Sequence, residues 1–174
     1  MPFTSQSEIT MMTISDLQSD HFSTAKEFAA HLFMELHQAV IAQEAGAMRG
    51  EVEAIHDMRV TIRRQRVAIS NFDSCLPREL KRRLSAHLKK LAILLGGVRD
   101  LDVMIETLES ALLTRPAPDH KAIKNLISRL RARRRRQYRH LKNYLQSEDY
   151  AEFKTQFFTP EPASGTEKAH GQAA

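Results

Sequence analysis

Between Pro77 and Arg115 an apolar seam runs almost without interruption: Leu80, Leu84, Leu88, Leu91, Leu95, Val98, Leu101 or Asp102, Ile105, Leu108 and Leu112. Steps of three and four residues stack these side chains on one face of an α-helix and scatter them on a strand. The seam passes Gly96-Gly97 without losing register, which predicts one long helix, with any bend at the glycines. Pro77 suits its first turn, and Arg115-Pro116-Ala117-Pro118 ends it in a short loop. A helix cannot bury such a stripe alone, so the remaining chain must supply partners.

Those partners are also helical. Only 6 Gly and 6 Pro occur in 174 residues, and the β-branched residues are scattered. Ser23 or Thr24 can cap a first helix, with Glu27 near the capping-box position, and Phe28, Leu32, Leu36, Ala39 and Val40 form its apolar side to about Met48. Gly46 and Gly50 punctuate its end, and a second helix follows over about 51–75. A fourth spans about 119–146 on the seam Ile123, Ile127, Leu130, Arg134, Tyr138, Leu141, Leu145, and a short coda covers 148–158. The expected fold is all-α: an antiparallel four-helix bundle over residues 21–158 with a short C-terminal helical extension. Residues 1–20 are expected to be a flexible N-terminal segment. Residues 159–174, with Pro160, Pro162, Gly165 and Gly171, are expected to be a disordered tail.

The second helix carries the unusual chemistry. At about 100° per residue, Ile55, Met58, Ile62 and Ile69 share one side, and Val60 and Val67 lie further round. His56, Arg59, Arg63 and Arg66 fall between the two strips, within an arc of roughly 80°. An ordinary amphipathic helix sets its cations opposite its apolar side. Here a ladder of them stands on the side expected to meet neighbouring helices. A buried, unpaired guanidinium costs several kcal/mol, so the row needs an anion. Asp57, Asp100, Asp102, Glu106 and Glu109 could pair some of it internally; the other source is an external polyanion. The carboxylates look too few, because the fourth helix adds ten Lys or Arg from Lys121 to Lys142 with no Asp or Glu. Four successive cations at Arg133–Arg136 point all round a helix, so some must face solvent. Arg134 on the seam, with Arg131 one turn before it, is the more informative pair.

Other function classes find little support. The formal charge is +5, which suits an acidic partner without demanding one. Trp is absent and aromatics are few, which disfavours base-stacking platforms. Cys75 stands alone and His21, His31, His37, His87, His120, His140 and His170 lack ligand spacing, so neither metal nor cofactor is expected. No G-x-S-x-G, H-E-x-x-H or Walker loop occurs, and Asp100 and Asp102 diverge on a helix, so no catalysis is expected. No apolar run is long enough to cross a membrane, and Met1 to Asp20 lacks the basic start and apolar core of a signal peptide. A cytoplasmic protein is the expectation.

Two motifs on consecutive helices then resemble a known family. His56-x-x-Arg59-Val60-x-x-Arg63-Arg64-x-Arg66, followed by Leu95-Gly96-x-x-Arg99-Asp100-x-Asp102-Val103, is similar to the CHAD domain (conserved histidine α-helical domain). The likeness extends more faintly from about residue 24 to 158, including Ser147-x-x-Tyr150. It implies a non-catalytic helical module that binds inorganic polyphosphate through a basic groove or channel, in association with polyphosphate granules. Carried over by position, the binding candidates are His56, Arg59, Arg63, Arg64 and Arg66, then Lys89 and Arg99, with Arg131, Arg134 and Arg135 on the looser fourth-helix part of the pattern. Asp100 and Asp102 look like orienting partners for nearby arginines. Gln65 stands where the family pattern has Leu, which is expected to loosen packing. The family usually has two bundles and this chain matches one, so a homodimer that rebuilds the pair is expected. The alternative function is nucleic-acid binding by the basic helix 121–142.

Overall fold

The computed structural model describes residues 24–155 except Arg115. The expectations for residues 1–20 and 159–174, and for the end of the coda at 156–158, lie outside them. The described residues form an all-α protein of six helices: α1 (Ala25–Ala42), α2 (Glu44–Arg49), α3 (Val52–Asn71), α4 (Arg78–Thr114), α5 (His120–Leu145) and α6 (Glu148–Thr155). Thr24 caps α1, its hydroxyl accepting the Glu27 N–H at 3.2 Å.

The long seam forms a single helix through both glycines, as its register predicts. The first helix departs from expectation by breaking at Gln43, so that the stretch to Arg49 becomes α2. Gly50 explains the next stop. Its φ of 80° is left-handed, and the N–H groups of Gly50 and Glu51 close onto Ala47 and Gly46 carbonyls at 3.1 Å. A Cβ on Gly46 would meet the Ala54 Cβ at 2.5 Å, so α2 can fold back against α3 only with glycine there.

Successive long helices pack in order: α1 on α3, α3 on α4, α4 on α5, with α2 against α3 and α5 and α6 against α4 and α5. The core joins Phe33 and Val40 of α1, Ile55, Met58 and Ile62 of α3, Leu88, Leu91 and Leu95 of α4, and Leu141 of α5. Each fully buried Leu, Ile or Met contributes about 1.5–3 kcal/mol against exposure. Phe153 of α6 is fully buried, with its ring 4.7 Å from His37 on α1 and 5.8 Å from His87 on α4. The fourth-helix slot of Tyr138 is a latch: its hydroxyl donates to the Met48 carbonyl at 2.6 Å, and its ring covers Gly50.

Candidate functional site

The arc read on α3 survives folding, but its surroundings differ from expectation. Ile55, Met58, Ile62 and Ile69 are buried as one strip. The second strip is not: Val67 is 51% exposed and Val60 only half-buried. No helix among the described residues packs over that side, so Arg59, Arg63 and Arg66 line an open surface rather than a closed interior. Their stems run along the edge of the core while the guanidinium groups reach water.

α4 forms the other wall. A Cβ placed on Gly96 would stand 3.9 Å from the Arg59 Nε, so this arginine lies across α4 where no side chain intervenes. Further along, Arg66 and Lys89 line the same open cleft of about 370 Å³. These two meetings fix an antiparallel register, in which His56 comes level with Arg99 and Arg63 with Ala92. The structure therefore gathers His56, Arg59, Arg63, Arg66, Lys89 and Arg99 along one groove between α3 and α4. Arg64, about 100° round the helix from Arg63, is exposed and stands off the row.

The charge state of this groove is its main property. Among the described residues, Arg59, Arg63, Arg64, Arg66, Lys89 and Arg99 make no ion pair and no side-chain hydrogen bond. His56 is half-buried, with Nδ1 out of water and unpartnered, which leaves Nε2 as the nitrogen able to reach an anion. A row of cations at helical spacing beside a glycine-bottomed wall can hold a chain of negative charges by forked hydrogen bonds and by field.

The fourth-helix candidates occupy a different place. Arg134, in its seam position, donates Nε to the buried Asp102 carboxylate, with further bonds of 3.3 Å to Asp102 Oδ2 and 3.2 Å to the Gly50 carbonyl. It ties α4 and α5 to the start of α3. Arg131 pairs with Glu109 at 2.6 Å, and Arg135 lines a second cleft between the end of α4 and the start of α5. Asp102 thus orients an arginine as expected, and the arginine is on α5.

Sequence reasoning missed Lys81, Ser70 and Ser85, which join Arg66 and Lys89 in the α3–α4 cleft. Lys81, Ser85 and Lys89 recur every fourth residue and so share one face. That spacing was available; the register that turns the face toward Arg66 was not. Among the described residues no group of three or more His, Cys, Asp or Glu side chains is placed to hold a metal ion, and no helix is long and apolar enough to cross a membrane.

The family model of the CHAD domain matches residues 31–168 of the 174. The chain belongs to the CHAD-domain family. No curated protein and no solved structure matches it. CHAD domains are related in general to polyphosphate binding. The matched span of this CHAD domain takes in both walls of the groove, from His56 to Arg99.

Proposed function

We propose that this CHAD domain binds inorganic polyphosphate along the α3–α4 groove and does no chemistry on it. The observation that carries the reading is a row of arginines on one face whose charge no neighbouring carboxylate cancels. Polyphosphate presents regularly repeated negative charge and no bases, so recognition needs only cations at a regular spacing. Successive arginines three or four residues apart on α3 rise about 4.5–6 Å, which serves neighbouring phosphates of one chain. Crowding the cations costs free energy in the empty protein. Binding relieves that cost, so the ligand stabilises the fold by mass action.

A second copy of the chain completes the site in this proposal. Val67 and Ile93 are 51% and 65% exposed beside the cation row, and both are apolar surface that a paired molecule would cover. Two rows would then face a common channel. Sedimentation is expected to show a dimer with polyphosphate; a monomer with and without it contradicts this part. The protein works in the cytoplasm, at polyphosphate granules.

One observation favours a second reading, nucleic-acid binding. Arg129, Arg133, Arg136 and Arg139 on α5 are exposed and make no ion pair among the described residues. A salt-dependent titration with long-chain polyphosphate and with DNA of equal total charge separates the two. Both affinities fall with salt. The proposal expects tighter binding to polyphosphate at every salt concentration and poor displacement by DNA. Equal or tighter DNA binding supports the α5 reading. Release of phosphate from polyphosphate in the presence of Mg²⁺ or Mn²⁺ would contradict a purely binding role.

A further inference from the structure

Where the arginine row ends, the groove changes character. Beyond Arg66 it opens into the cleft of about 370 Å³ lined by Ser70, Asp73, Lys81, Ser85 and Lys89. Ser70 and Ser85 face it from opposite walls, and neither hydroxyl makes a hydrogen bond among the described residues. At the far side Asp73 is held by Lys81 in an ion pair; it opens the 3-10 turn Asp73–Cys75 that, with Leu76, brings the chain round into α4. Asp73 places a carboxylate across the path of an anionic chain running down α3. Paired with Lys81, it ends the run of unpaired cations along α3.

We infer that this cleft is a subsite for the terminal phosphate of a bound polyphosphate chain. The inference rests on the polyphosphate reading above. An interior phosphate carries one charge and two non-bridging oxygens. A terminal one resembles a phosphate monoester, with a charge of about −1.5 to −2 at pH 7 and three acceptor oxygens. The cleft matches the richer group: Arg66 and Lys89 supply charge, and Ser70 and Ser85 supply two hydroxyl donors that the rest of the row lacks. Asp73 makes it a stop rather than a passage, and Lys81 offsets the carboxylate enough for a dianion to approach. Chains therefore enter with one end seated here and extend toward His56.

The test compares long-chain polyphosphate with free ends against the same material with both ends blocked as phosphoramidates. Wild-type protein is expected to bind the free-ended chain about tenfold more tightly, the scale of one charge-assisted hydrogen bond. In ³¹P spectra, the end-group resonance should shift and broaden before the interior ones. In the Ser70→Ala/Ser85→Ala variant, folded by circular dichroism, the ratio is expected to fall toward one while the blocked chain still binds. Equal affinity for both materials in the wild type, or interior resonances responding first, would overturn the end-seating subsite and leave binding along the row intact. If neither material binds, the polyphosphate reading itself fails.

Discussion

Gln65 is the residue most out of place for its surroundings. It is 2% exposed inside the α3 core strip, and its Oε1 has no hydrogen-bond partner. A buried amide oxygen without a donor costs about 1–3 kcal/mol, whereas Leu fills similar volume with no such cost. Gln65→Leu is therefore expected to raise stability by about 1–2 kcal/mol in urea unfolding. Asp102 is the converse case, a buried charge with its partner present. Asp102→Ala strands the Arg134 guanidinium and is expected to lose about 2–4 kcal/mol, most of it recovered when Arg134→Met is added. A loss under 1 kcal/mol would show that the pair is no more than a surface contact. Arg134 was legible as an anomaly from its seam position alone. Its destination was not, because the Gly50 carbonyl lies 84 residues away in sequence.

At the scale of elements, apolar periodicity located every long helix, since burial of one stripe determines where a helix must run. It did not locate the break at Gln43, which comes from α2 folding back so that Gly46 can touch Ala54. Nor did it reveal that the Val60–Val67 side stays open. Periodicity reports which residues share a face and is silent on whether a neighbour arrives to cover it. The α1–α6 contact makes a measurable element-level device. His37 Nε2 lies 3.2 Å from the Lys154 carbonyl, and burial pushes the imidazole pKa below its usual 6.5 despite that bond. The folded state then holds fewer protons than the unfolded one below pH 6.5, so protonation favours unfolding. This contribution to stability is complete above that pH and is lost as pH falls through the lower, folded-state pKa. Urea midpoints measured at pH 7.5 and 5.5 are expected to drop for the wild type and to drop less for His37→Gln.

At the scale of the whole molecule, the α3–α4 face carries a row of cations that no carboxylate among the described residues cancels. The protein carries acidic residues in number, yet Glu79, Glu109, Asp102 and Asp149 are engaged with Arg82, Arg131, Arg134 and Lys90, away from the α3 row. Internal pairing therefore accounts for those four cations and leaves the α3 row, like the exposed arginines of α5, without a carboxylate partner among the described residues. The most direct measurement is a polyphosphate titration of wild-type protein beside the Arg59→Ala/Arg63→Ala variant, with helicity followed in both. Both side chains are exposed, so the fold should persist. Polyphosphate binding along the row requires unchanged helicity and an affinity at least about a hundredfold lower, the scale of two charge-assisted contacts. Equal affinity in the two proteins would contradict it.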